Sequence, residues 1–128
     1  MRKLASVQYI KNLEPIPGAD LIEKATVLGW ECVVKKGEFK IGEKVIYVEI
    51  DSIMPETPEF EFLRPRKFKI KTAKMKGQIS QGIVFPINII CLIEPSCNFS
   101  LLKEEDDLSE RLSIRKNYNW ALLNKLYL

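Results

Sequence analysis

Residues Lys44 to Asp51 alternate so that Ile46, Val48 and Ile50 share one side of an extended chain while Val45, Tyr47, Glu49 and Asp51 share the other. A period of two is what a β-strand imposes on its side chains, and no helix can satisfy it. The pattern recurs in short pieces. Ala5 to Ile10 alternates loosely and is broken by the turn-forming run Pro15 to Asp20. Ala25 to Leu28 and Trp30 to Val34 follow, separated by Gly29, which reads as a bulge or sharp coil. Gln78 to Phe85 gives a further strand, with Ile79, Ile83 and Phe85 as core candidates.

Five or six short strands punctuated by glycine and proline favour a small barrel over an open sheet. The expected fold is therefore mainly all-β: a five- to six-stranded closed Greek-key barrel of the OB type, with one or two short helices at the C-terminal end. A chain of 128 residues with 46% hydrophobic side chains supports one compact domain. Residues 1–116 read as the barrel. Residues 117–128 read as a short helix packed on it, since Asn119, Trp120, Leu123, Leu126 and Tyr127 fall on one helical face. Glu104 to Asp107 followed by Leu108, Arg111 and Leu112 reads as the acidic start of another short helix. Ile87 to Ile93 reads as a strand or one buried helical turn, and Ser52 to Pro65 as a long connection.

Charge is distributed unevenly. Residues 1–63 carry 8 basic and 11 acidic side chains, whereas residues 64–103 carry 8 basic and 1 acidic. Arg64, Arg66, Lys67, Lys69, Lys71, Lys74 and Lys76 form one run with no acid inside it. Read as a strand, the run projects Lys67, Lys69 and Lys71 from one face and Phe68, Ile70 and Thr72 from the other, with a β-bulge at Thr72-Ala73 where the parity slips. Alternate residues on a strand lie roughly 6.6–7 Å apart, close to the spacing of phosphates along nucleic acid. Such contacts hold a backbone without reading sequence. Ser80 and Gln81 are candidates for added hydrogen bonds beside the run. Among the aromatic residues Tyr9, Trp30, Tyr47, Phe62 and Phe68, Tyr47 is the preferred base-stacking candidate because it shares a face with Glu49 and Asp51.

Other chemistries find little support. The chain has no histidine, which removes His-based triads and His metal ligands, and its three cysteines, Cys32, Cys91 and Cys97, lack CxxC spacing. Reduced, mostly buried thiols are expected, with no metal site. No phosphate-binding glycine loop occurs. No apolar run is long enough to span a bilayer, and the N-terminus lacks a signal-peptide core, so a cytoplasmic or nuclear location is expected and a membrane or secreted one is not.

Several segments together resemble one family. Met1 to Val7, Leu13 to Asp20, Gly29-Trp30 with Lys36 to Phe39, Val48 to Ser52, Pro58 to Leu63 and Gly77 to Gly82 resemble the N-terminal OB module of the ATP-dependent, nick-sealing RNA ligases. The resemblance runs from residue 1 to about residue 116. In that family a nucleotidyltransferase domain follows and attaches AMP to the lysine of a Lys-x-Asp-Gly motif. The motif does not occur here: Lys74-Met75-Lys76-Gly77 carries Lys76 where the carboxylate belongs.

The resemblance thus implies a non-catalytic module of RNA repair that binds RNA or a nicked, RNA-containing duplex and has no cofactor of its own. ATP and Mg enter only with a separate catalytic domain or a partner nucleotidyltransferase chain. Pro15 to Asp20 also resembles OB modules that bind transfer RNA, which is one alternative. A protein-interaction barrel, docking through Trp120, Leu123 and Leu126 as the subunit of a separate ligase, is the other.

Overall fold

The computed structural model describes residues 3–93 and 98–116. The expected C-terminal helix of residues 117–128, and Cys97, lie outside them. Two antiparallel ladders make up most of the fold. One joins β1 (Ala5–Tyr9), β5 (Lys44–Val48) and β9 (Ile83–Pro86) in the order β1-β5-β9. The other joins β2 (Asn12–Pro15), β3 (Ile22–Val27) and β4 (Trp30–Lys35) in sequence order. Leu28 and Gly29 both have positive φ, 51° and 79°, and form the two-residue turn between β3 and β4. β1 and β2 act as one kinked strand. At the kink, Ile10 N–H donates to the Glu43 carbonyl at 3.0 Å and Lys11 N–H to the Thr26 carbonyl at 2.8 Å, so the chain passes from one ladder to the other.

The remaining side of the ring, between β4 and β9, is not closed by a ladder, contrary to the expected closed barrel. A seam of individual bonds takes its place. Gln81 N–H donates to the Glu31 carbonyl at 2.8 Å, and Val33 N–H donates to the Ser80 hydroxyl at 2.9 Å. The Gln81 carbonyl accepts from the Tyr47 hydroxyl at 2.7 Å and from the Cys32 thiol at 3.3 Å. The reason lies at Gly82, whose φ of 101° turns the backbone out of the extended conformation just before β9 begins.

The core has two compartments, and β5 divides them. Val45 and Tyr47 face the barrel interior with Ala25, Val27, Cys32 and Val34. Ile46 and Val48 face outward, into a second cluster with Val7, Phe60, Leu63 and Phe85. The period of two is real, but both faces are buried, so the Tyr47 side of the strand is not the solvent side. Each large apolar side chain buried in this way contributes about 1.5–3 kcal/mol. The outer cluster is sealed partly by Leu108, Leu112 and Ile114 from the C-terminal segment.

That segment is not the expected acidic helix. Its backbone runs beside β1, with Glu105 N–H to the Val7 carbonyl, Val7 N–H to the Asp106 carbonyl and Leu108 N–H to the Ala5 carbonyl. Peptide groups committed to β1 cannot also form a helix. The 87–93 stretch is helical, a 3₁₀ turn (Ile87–Ile89) leading into α1 (Ile90–Ile93). Ile79, expected in the core, is 48% exposed because its strand belongs to a hairpin outside the barrel.

Two consequences can be measured. Asp107 accepts from both the backbone N–H and the hydroxyl of Ser109, at 3.0 and 2.7 Å, and the same hydroxyl accepts from Leu4 and Ala5 N–H at 3.0 Å each. The Ser109 hydroxyl bond, then its backbone bond, holds the Asp107 carboxyl below its ordinary value of 3.8. A lowered folded-state pKa stabilises above the unfolded value and is lost as pH falls through the folded one. Thermal melts of wild type and Asp107→Asn should therefore converge on acidification below about pH 4; a gap that widens there contradicts the assignment. The effect should be small, because the group is exposed.

Cys32 is buried, and its burial pushes the thiol up to about 12 against a smaller opposing effect of the Gln81 bond. Cys32 should resist a thiol reagent at pH 8 in the native state and react fully once unfolded, as read by peptide mass mapping.

Candidate nucleic-acid interface

The basic run lies in the connection between β5 and β9, residues 49–82, which builds a structure of its own. β6 (Ser52–Ile53) pairs with β10 (Arg115–Lys116), and a kinked 3₁₀ helix follows at Pro58–Arg66. Pro58 suits the first turn of that helix. Glu59 and Glu61 near its start and Arg64 and Arg66 near its end complement its dipole. Phe60 and Leu63, three residues apart, turn inward to the core. Phe62 between them stays 60% exposed, with its ring in edge contact with Phe85 at 6.1 Å and 65°.

The expected continuous lysine strand does not form. Lys67 and Phe68 have φ of 55° and 59°, left-handed values that end the helix by Lys67 N–H to the Arg64 carbonyl and Phe68 N–H to the Leu63 carbonyl. Phe68 is thereby driven into the core, and Ile70 follows it by bonding back to β6 through the Ser52 carbonyl. Lys67, Lys69 and Lys71 consequently do not form a row on one strand face. The strand that does follow, β7 (Ala73–Met75), starts only at Ala73, so no bulge is formed at Thr72-Ala73. It pairs with β8 (Gln78–Ser80) across a two-residue turn, Lys76-Gly77, with φ of 50° and 82°.

The seven cations divide into groups. Arg64 is compensated: its guanidinium forms a forked pair with the Glu61 carboxylate, lies 3.9 Å from Glu56 and stacks 5.3 Å from the Phe68 ring centre. The Arg64 bond holds Glu61 below the usual carboxylate range and raises the Arg64 pKa in turn. Arg66, Lys69 and Lys71 rim a groove of about 220 Å³ whose apolar lining includes Phe62, Met75 and Ile83. Lys67, with Lys69 again, lines a neighbouring depression of about 380 Å³ that Arg64, Glu56 and Arg115 also reach. Lys74 and Lys76 stand exposed on the hairpin, outside both. None of Arg66, Lys67, Lys69, Lys71, Lys74 and Lys76 makes an ion pair with a described residue.

Two sequence candidates are overturned and one is partly engaged. Tyr47 is 1% exposed with its hydroxyl bonded to the seam, so its ring cannot stack on a base. The Ser80 hydroxyl is buried and committed to Val33 N–H, which leaves it structural. Gln81 is half-buried, and its backbone groups carry the seam. Met75 and Arg115 were not among the sequence candidates. Neither carries a local signal, because each reaches its depression only through a pairing, Met75 with Gln78 and Arg115 with Ile53.

Counting β1–β2 as one strand, with β3, β4, β5 and β9 as the next four, the basic segment joins the fourth strand to the fifth. A family model described as an OB-fold domain matches residues 4–87. The chain belongs to this OB-fold family. A search of curated protein sequences found no match.

Among solved structures, the OB-fold domain is similar to Naegleria gruberi RNA ligase with PPi, at 34% identity and a TM-score of 0.78, over 93% of this chain and 36% of that one. A mutant of the same ligase with AMP and Mn gives 35% identity and a TM-score of 0.75, over 90% and 35% of the two chains. Another mutant, with ATP and Mn, gives 36% identity and a TM-score of 0.75, over 89% and 35%. The domain thus spans about a third of the length of the ligases it matches. Among the described residues, no group of three or more His, Cys, Asp or Glu side chains could hold a metal ion. No described helix is long and apolar enough to cross a membrane.

Proposed function

We propose that this OB-fold domain is the RNA-gripping part of a nick-sealing ligase, holding an RNA-containing duplex by its backbone while a nucleotidyltransferase domain or chain performs the chemistry. One observation carries the reading. Arg66, Lys69 and Lys71, without ion pairs to any described residue, converge on one groove in the loop between the fourth and fifth barrel strands. OB folds characteristically take up oligonucleotides on the face of their second and third strands and through this loop and the one joining the first two strands. The similarity to an RNA ligase over nine-tenths of the chain supports RNA as the nucleic acid of this reading.

Lysine and arginine contacts to phosphate are point charges or forks without base information, so the grip is indifferent to sequence and screened by salt. ATP and Mg would be held by the catalytic partner, and no sealing step is assigned to residues of this chain.

Fluorescence anisotropy of a labelled, nicked RNA-containing duplex at about 50 mM salt tests the reading. Saturable binding is expected, with transfer RNA bound no more tightly than the duplex. Tighter binding of transfer RNA would favour the alternative module, and no binding of either would overturn the proposal. Incubation with labelled ATP should give no covalent AMP on the chain alone.

A further inference from the structure

The groove beneath the basic rim is mostly apolar, which phosphate contacts do not require. Phe62 and Met75 are 60% and 39% exposed, and both stand between this groove and a second, apolar depression of about 400 Å³ on their other side. Exposed Phe and Met side chains lining one groove lose favourable burial unless something planar or apolar covers them. Phe62 is held outward by the fold itself, since Phe60 and Leu63 occupy the inward positions of the same short helix.

We propose that Phe62 and Met75 form a slot for one unpaired nucleobase, with Arg66, Lys69 and Lys71 holding the phosphates that flank it. The occupant is set by the combination of surfaces. An apolar floor suits a π-face, and a cationic rim suits the charge that a nucleotide carries beside its base. The size limits it to one ring system, because about 220 Å³ falls below the roughly 300–1,000 Å³ of pockets that take whole drug-sized ligands. Stacking on Phe62 accepts any base, which keeps the module indifferent to sequence. A frayed or unpaired nucleotide at a break in a strand offers such a base at little unstacking cost.

The inference rests on the backbone-gripping function and is tested so that the two can fail separately. The probe is an RNA duplex carrying one unpaired nucleotide at a strand break, compared with the same duplex carrying an abasic residue there. Wild type should bind the base-containing duplex about 5- to 150-fold more tightly. Phe62→Leu, which keeps the apolar volume and removes the ring, should abolish that preference while leaving the salt dependence unchanged. A fluorescent base analogue in the unpaired position should be quenched by wild type and not by the variant. If wild type binds both duplexes equally and in a salt-dependent way, the base slot is overturned and the backbone grip stands. If neither duplex binds at low salt, both are overturned.

Discussion

Replacing Gly82 by alanine should destabilise the domain by about 3–6 kcal/mol and lower its melting temperature by at least about 10 °C. Two costs combine at this residue. Its φ of 101° is a conformation that a side-chain-bearing residue adopts only under strain. An added Cβ would also lie 2.6 Å from the Tyr47 hydroxyl and 2.6 Å from the Val48 carbonyl oxygen, and the second is backbone that cannot move without displacing β5. Any relief by moving Tyr47 breaks its bond to the Gln81 carbonyl and opens the seam that stands in for a ladder between β4 and β9. Gly37→Ala is the control. It too has positive φ, 82°, but nothing lies within 4 Å of an added Cβ, so the cost should stay near 1 kcal/mol. Equal losses in the two variants, measured by thermal and urea unfolding, would show that the seam is not a close-packed junction.

The second large effect concerns binding. The triple variant Arg66→Ala, Lys69→Ala, Lys71→Ala should weaken RNA binding by roughly 100-fold or more at 50 mM salt, since each lost phosphate contact removes a comparable counterion-release contribution. These three side chains rim one groove and are exposed or half-exposed, so the fold should survive their loss. Arg64→Ala should cost less than about 5-fold, because the Arg64 charge is already met by Glu61 and Glu56. An equal loss from Arg64→Ala would mean that net charge alone governs binding and that the groove has no special place in it.

The parts of the fold that were legible in the sequence are those decided by neighbours in the chain. The alternation of Lys44 to Val48 reports a strand directly, and Gly29 marks a break between two strands, although the structure makes it a two-residue turn with Leu28 where the sequence reads as a bulge or sharp coil. The acid-free basic segment was equally plain, since charge counts need no structure. What escaped was decided by contacts distant in sequence. Alternation cannot say that both faces of β5 are covered, because the second cover comes from Phe60, Leu63 and the C-terminal residues Leu108 to Ile114. With that second layer over Ile46 and Val48, the Tyr47 face is left as the barrel interior, and Phe62 stays outside because Phe60 and Leu63 take the inward positions of its helix. The lysine run misled for a related reason. Phe68 and Ile70 share the spacing of a strand face, yet they reach the core through a left-handed turn at Lys67-Phe68, which spacing alone does not distinguish from an extended chain. The groove between the 3₁₀ helix and the hairpin exists only once that turn is made.

The most direct test of the central claim is the slope of log binding constant against log salt concentration for the wild-type domain and a nicked, RNA-containing duplex. Three to six phosphate contacts predict a slope between about −2 and −5, reduced in magnitude by about 2–3 in the triple variant. A wild-type slope near zero, or one that the triple variant leaves unchanged, would contradict the account.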